Sequence, residues 1–253
     1  MLKKNLISVV ILIGGFGSRF SNLSEPPKHL SKINKNYIIM HIINQFKKFG
    51  FKHFIFPLGN KKSYFEKFFF SKKNIYKYKF NILKNKFKVH DLNYDKINIS
   101  LFDAGKNTNK LNRIYKSLKY IIDDNFIVAY GDDLADINFN KIIKKYNNLK
   151  KKKSIVTVFK KNSQYGHVLK NKNGKVLKFI EKPPHEHPIN IGNYLFNKDI
   201  LKKFKKKNHE LENNFLPLLV KKNLLTSVEH RGYFYSINDK KELLIAQTKL
   251  KKK

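Results

Sequence analysis

Residues Leu6 to Ile13 read LISVVILI and run without a break into Gly14-Gly15-Phe16-Gly17-Ser18-Arg19. An uninterrupted apolar run rich in Val and Ile, ended by glycines, fits a strand covered on both faces, as in the middle of a parallel sheet. Such a strand needs helices above and below it, which already narrows the chain to a layered α/β architecture. In open α/β sheets ligands bind beyond the carboxyl ends of the strands, so the glycine turn marks the side where chemistry is expected. The run is too short to cross a bilayer and lacks a small-residue cleavage site, so the expectation is a cytoplasmic protein without membrane insertion.

The next segments repeat the alternation. Tyr37 to Phe49 carries Ile38, Ile39, Ile42, Ile43 and Phe46 at helical spacing and stops at Gly50. Phe51 to Leu58 reads as a strand and Ser63 to Phe70 as a helix, whereas residues 71–96 give no clear pattern. Strands are expected at Ile97–Phe102, Asn125–Tyr130, Ser154–Phe159 and Tyr194–Phe196. A hairpin is expected from Tyr165–Lys170 and Val176–Glu181 around Asn173-Gly174. Helices are expected at Leu111–Ile122, Phe139–Leu149, Phe215–Lys222 and Lys240–Leu250. The sum is a three-layer αβα, Rossmann-like fold with a mixed, mostly parallel sheet, and one domain over residues 1–253.

Composition matters for what it excludes. The 253 residues contain no cysteine, which removes disulfides and thiolate chemistry. Hydrophobic residues at 41% argue against disorder. The net charge of +36 raises the question of a nucleic-acid partner. Lysine is scattered over nearly every segment, and Lys, Asn, Ile, Phe and Tyr share A/T-rich codons. Biased base composition therefore accounts for the charge, and no specific nucleic-acid binding is expected. The positive field still favours anionic substrates.

Several short patterns carry chemistry. The glycines at 14, 15 and 17 let backbone N–H groups approach a phosphate, and Arg19 adds a guanidinium fork. The spacing is neither the dinucleotide fingerprint nor a Walker A loop. Pro26-Pro27-Lys28 places a lysine on a rigid turn, suited to completing an anion cage. Tyr130-Gly131-Asp132-Asp133 follows an apolar strand, and a carboxylate there is a candidate Mg²⁺ ligand. Glu181-Lys182-Pro183 pairs a hydroxyl-binding carboxylate with a phosphate-binding cation. His185 and His187 lack a placed third ligand for a metal.

In order, these pieces resemble the sugar-1-phosphate nucleotidyltransferases. VILIGGFGSRF followed by PPKHLSKI is similar to the family's VILAGGxGTRL and PKPM, with Ser18 for Thr, Ile13 for Ala, and Asn36-Tyr37 where Lys-Pro is common. YGDDLADIN, and Asp103-Ala104-Gly105-Lys106-Asn107-Thr108 with Arg113, resemble the glucose-1-phosphate cytidylyltransferase branch, although Leu111-Asn112 replaces a Gly-Gly pair. The resemblance implies a GT-A-like nucleotidyltransferase fold and a reaction between an NTP, CTP first, and a sugar 1-phosphate, glucose 1-phosphate first. GTP, UTP or dTTP with another sugar phosphate stays open. It implies Arg19, Lys28 and Asp132 as catalytic groups. Nucleotide contacts would come from Leu12, Gly14, Gly15, Gly17, Ser18, Arg19, Thr108, Arg113 and Gly131. Glu181, Lys182, Asn190 and Gly192 would hold the sugar phosphate.

Mg²⁺ would sit on Asp132, with Asn238 where a second aspartate is usual after His230-Arg231-Gly232-Tyr233-Phe234; another alignment puts Ser236 there, and Asp239 is adjacent. The family's products commonly feed surface-polysaccharide synthesis. Two competitors follow from the departures and the charge. One is a degenerate homologue that binds sugar nucleotides without turnover, the other a basic nucleic-acid-binding protein. Self-association is left open.

Overall fold

A computed structural model describes residues 2–15, 20, 25–71, 80–82, 90–94, 97–206 and 208–251. Along the chain the strands are β1 (Ser8–Leu12), β2 (Lys32–Ile33), β3 (Asn36–Tyr37), β4 (His53–Leu58), β5 (Phe80–Ile82), β6 (His90–Tyr94), β7 (Ile97–Asp103) and β8 (Asn125–Tyr130). Then come β9 (Asp133–Ala135), β10 (Ser154–Phe159), β11 (His167–Lys170), β12 (Val176–Ile180), β13 (Ile189–Asn197), β14 (Leu225–His230) and β15 (Phe234–Ser236). The α-helices are α1 (Ile38–Lys48), α2 (Lys62–Phe70), α3 (Lys110–Ser117), α4 (Phe139–Asn147), α5 (Lys198–Lys203), α6 (Leu216–Lys221) and α7 (Lys240–Lys251). Short 3₁₀ turns cover Lys28–Leu30 and Leu118–Tyr120, and a π-turn covers Leu211–Phe215.

The main sheet runs β14-β10-β13-β8-β1-β4-β7-β6-β5, with β1 near its middle. The pairs β1–β4, β1–β8, β4–β7 and β10–β14 are parallel, and only β13 and β6 run against the other strands of this sheet. Alternate residues of β1 enter different cores. Val9 and Ile11 pack with Ile39, Ile43 and Phe46 of α1, Phe65 of α2 and Phe139 of α4. Val10 and Leu12 pack with Leu111 and Ile114 of α3, Leu201 of α5 and Leu219 of α6. This is the expected three-layer arrangement, and the period of two along a strand produces it. Each fully buried Val or Ile of β1 contributes about 1.5–3 kcal/mol relative to exposure.

Several boundaries differ from the sequence expectation. The 111–122 helix stops at Ser117 and tightens into a 3₁₀ turn before Ile121 extends. The short strand at 194–196 is the end of a longer one, β13, whose buried Asn193 and Asn197 break the apolar pattern that sequence reading follows. β9, β14 and β15 were not expected, because β9 and β15 are three-residue strands and β14 is mixed polar and apolar. The hairpin of β11 and β12 forms as expected, with Gly174 in the left-handed region (φ +82°).

Candidate active site

Four parallel strands end side by side. Leu12 of β1 lies opposite Tyr130 of β8, and Leu58 of β4 lies opposite Asp103 of β7. Main-chain bonds hold the exits together: Gly131 N–H donates to the Leu12 carbonyl at 3.1 Å, and Ala104 N–H to Leu58 at 2.8 Å. Gly131 has no room for a side chain, since a Cβ there would meet Ile13 Cγ2 at 2.3 Å. The bulky Ile13 thus fits because its neighbour is glycine. Gly14 and Gly15 follow directly, while Gly17, Ser18 and Arg19 lie outside the described residues.

Lys28 sits on the 3₁₀ turn with its Nζ 2.5 Å from Asp132 Oδ2, and both side chains are largely shielded. Two residues expected from separate motifs are therefore one ion pair at the mouth of β8. His29 beside them is buried, and burial pulls its pKa down to about 4, with Asp132 opposing and Lys28 assisting. Among the described residues its Nδ1 has no hydrogen-bond partner. Asp133 is buried under the same loop. Loss of solvent, then the charge of Asp132, push its carboxyl above the usual range, against a hydrogen bond from Ser236.

Strand register determines which residues stand beside Asp132 and Asp133. β15 pairs with β9, Ser236 lying opposite Asp133, and Ile237 N–H donates to the Asp132 carbonyl at 3.0 Å. Asn238 is the next residue. Its Nδ2 donates to Ser236 Oγ at 3.1 Å and its backbone N–H to Glu242 at 2.6 Å. Asp239 caps α7 instead, accepting from Glu242 N–H at 2.8 Å. The oxygen groups gathered at this end are the Asp132 and Asp133 carboxylates, the Ser236 hydroxyl opposite Asp133, and the Asn238 amide bonded to Ser236. Among the described residues no group of three or more His, Cys, Asp or Glu is arranged to hold a metal. Carboxylate, hydroxyl and amide oxygens match the hard-donor chemistry of Mg²⁺, which keeps water and phosphate oxygens in its remaining positions.

Thr108 and Arg113 have inward partners. The Thr108 hydroxyl donates to the Ala104 carbonyl at 2.6 Å. Arg113 is 4% exposed and directs its fork at main-chain carbonyls: Thr108 at 2.9 Å, Pro57 at 3.1 Å and Gly14 at 2.8 Å, with longer bonds to Gly105 and Lys106. A Cβ on Gly14 would lie 1.7 Å from Nη1, and one on Gly59 2.2 Å from Nη2. The guanidinium is enclosed by backbone and ties the exits of β1, β4 and β7 together.

On the neighbouring strand β13, Asn190 Oδ1 accepts from Gly192 N–H at 3.0 Å, and Gly192 is left-handed (φ +65°). A Cβ on Gly192 would strike the Tyr130 ring at 2.5 Å and Asp133 Oδ2 at 2.7 Å, so this turn packs directly on the segment that carries Asp132. Glu181 and Lys182 are 3.5 Å apart and well exposed at the foot of the β11–β12 hairpin. Lys182 holds a left-handed backbone (φ 46°), a costly conformation for lysine that fixes where its side chain leaves the chain. No contact joins this pair to Lys28 or Asp132 among the described residues.

Sequence reading missed one cluster. Tyr130, Tyr194, Glu212 and Lys110 form a bonded group against the Asn190 turn. Glu212 comes from the π-turn, a form with no sequence signature, and Tyr130 was noted only as part of its motif. The His230–Phe234 motif holds local structure together. His230 Nε2 bonds the Tyr233 carbonyl at 2.9 Å, and Tyr233 N–H donates to Asp136 at 2.6 Å.

The profile of the family described as nucleotidyl transferase matches residues 8–251. A probable glucose-1-phosphate cytidylyltransferase of Bacillus subtilis (strain 168) is 29% identical over 244 residues, covering 94% of each chain. A glucose-1-phosphate cytidylyltransferase of Salmonella typhimurium is 28% identical over 90% of each. Among solved structures, a putative glucose-1-phosphate thymidylyltransferase from Bacillus anthracis superposes with a TM-score of 0.70 at 18% identity, over 96% of this chain and 94% of that one.

Proposed function

The chain belongs to the nucleotidyl transferase family and is a sugar-1-phosphate nucleotidyltransferase, and from that premise we propose that it joins CTP to glucose 1-phosphate. An oxygen of the sugar phosphate attacks the α-phosphorus of CTP, the bond to the β-phosphate breaks, and pyrophosphate leaves with its electron pair; the other product is CDP-glucose. No covalent enzyme intermediate is required, so catalysis is positioning and charge stabilisation.

The observation that carries the reading is the Lys28–Asp132 pair, fixed at 2.5 Å where β1 and β8 end. Lys28 is shielded and aimed at the exits of the strands, suited to neutralising charge on the triphosphate. Gly14 and Gly15 would bring backbone close to the nucleotide, with Arg113 holding the turn from below. Glu181, Lys182, Asn190 and Gly192 would receive the sugar phosphate. Asp132 and Asn238 would hold Mg²⁺, which supplies charge neutralisation at the phosphates. The names of the Bacillus subtilis and Salmonella typhimurium relatives favour CTP and glucose 1-phosphate among the family's pairs. Among the described residues no helix is long and apolar enough to cross a membrane, which is compatible with work in the cytoplasm.

Asn238 in place of a carboxylate, with Asp239 engaged at the α7 cap, favours a second reading: a homologue that binds sugar nucleotides without turnover. Pyrophosphate release separates the two. Purified protein with Mg²⁺ is assayed with each NTP and dTTP against glucose 1-phosphate and other sugar 1-phosphates, with Lys28→Ala as control. Release with CTP and glucose 1-phosphate, lost in the variant, supports the enzyme. Nucleotide binding without release from any pair supports the binding homologue.

A further inference from the structure

The cluster around Glu212 has a direction. Asn190 Nδ2 donates to the Tyr194 hydroxyl at 2.5 Å. The Tyr194 and Tyr130 hydroxyls are 3.1 Å apart, and Tyr130 donates to Glu212. Lys110 pairs with the same Glu212 oxygen and lies 4.4 Å over the Tyr130 ring. Each phenol has one proton. An amide NH2 group, which only donates, stands at one end and a carboxylate, which only accepts, stands at the other. The protons therefore all point one way: Asn190 to Tyr194, Tyr194 to Tyr130, Tyr130 to Glu212. Burial raises the Glu212 pKa, but the hydrogen bonds from Lys110 and Tyr130 outweigh it and keep the carboxyl below its usual range. The acceptor end is thereby held ionised.

The far end of the chain is the turn expected to hold the sugar. Asn190 accepts from Gly192 N–H with one amide group and donates into the relay with the other, which fixes its amide orientation. Tyr130 also packs against Gly192 and precedes Asp132 by two residues. Lys110 stands two residues after Thr108, at the first turn of α3.

We propose that Glu212, anchored by Lys110, is a positioning residue for the sugar phosphate: through Tyr130 and Tyr194 it sets the orientation of the Asn190 amide. This rests on the proposed function, since it needs Asn190 to meet the sugar. Glu212 need not touch the substrate, since its own bonds go to Lys110 and Tyr130. The relay behaves as one unit, so breaking it at two points harms it no more than breaking it at one.

The test is steady-state pyrophosphate release from the full chain with Mg²⁺, CTP and glucose 1-phosphate, comparing wild type, Glu212→Gln, Tyr194→Phe and the double variant. Glu212→Gln removes the charge that orients the relay, and Tyr194→Phe cuts it. The expected result is a KM for glucose 1-phosphate raised about tenfold in each single variant. The KM for CTP stays within about twofold, and the double variant is no worse than the weaker single one. Unchanged sugar KM, equal shifts in both KM values, or multiplying effects in the double variant would overturn the relay. A general structural role would give equal shifts with a lowered melting temperature. Wild-type protein that releases no pyrophosphate from any pair overturns the functional reading and the relay with it, whereas active wild type with an unaffected Glu212→Gln overturns the relay alone.

Discussion

Arg113 offers the sharpest test of how this cleft is held. Its fork is enclosed by carbonyls from three chain segments and is 4% exposed. Burial lowers its pKa from the usual arginine value, yet guanidinium stays charged at any ordinary pH. In Arg113→Ala the Pro57 and Gly14 carbonyls lose their donors inside the protein, at about 1–3 kcal/mol each. With lost packing of the stem, the expected destabilisation is about 3–5 kcal/mol. Gly59→Ala attacks the same point from outside. Its backbone φ is not left-handed, so alanine is conformationally acceptable, but the methyl would lie 2.2 Å from Nη2 and must displace the fork. About 2–4 kcal/mol is expected in the wild-type background. In the Arg113→Ala background the three atoms nearest the added methyl are gone, and under about 1 kcal/mol is expected.

The assay is urea unfolding followed by far-UV circular dichroism on all four members of the cycle, with the slope checked for constancy. A coupling of about 2 kcal/mol or more supports the clamp. Additivity within about 0.5 kcal/mol would show that Gly59 and Arg113 do not share a site, and the reasoning fails. Arg113→Lys should behave like the alanine variant, because a point ammonium cannot reach carbonyls spread around a planar fork.

Other outcomes follow from the same geometry. Lys28→Ala should lower kcat/KM for pyrophosphate release by at least about 100-fold, with circular dichroism unchanged; retention of activity would remove Lys28 from the mechanism. Asn238→Asp adds a carboxylate to the metal end, so the Mg²⁺ concentration at half-maximal activity should fall severalfold in a titration; an unchanged or higher requirement would show that Asn238 is not at the metal. His29 titrates near 4 folded and near 6.5 unfolded, so the unfolded chain binds its proton first as pH falls. Its contribution is complete above about 6.5 and is lost between about 6.5 and 4, up to roughly 3 kcal/mol. Unfolding free energies measured across that window should fall more steeply in wild type than in His29→Gln, and parallel curves would contradict the assignment.

The sequence alone determined the parts whose signal is local. The β-branched run of β1 demanded cover on both faces, the period of apolar residues drew α1 and α4, and Gly131-Asp132 followed its strand closely enough to be picked out. Lys28 was legible because two prolines fix its turn. Tertiary structure decided whatever depends on residues distant in the chain. Asn193 and Asn197 hid the length of β13, since only a neighbouring strand shows why a polar residue is buried there. Register between β9 and β15 put Ser236 opposite Asp133, while Asp239 went to the cap of α7. The direction of Arg113, inward onto Gly14 and Pro57, was invisible because an arginine in a motif reads the same whether its fork meets a phosphate or a carbonyl. Glu212 was invisible too: it lies 82 residues from Tyr130, and only folding brings its carboxylate to that hydroxyl.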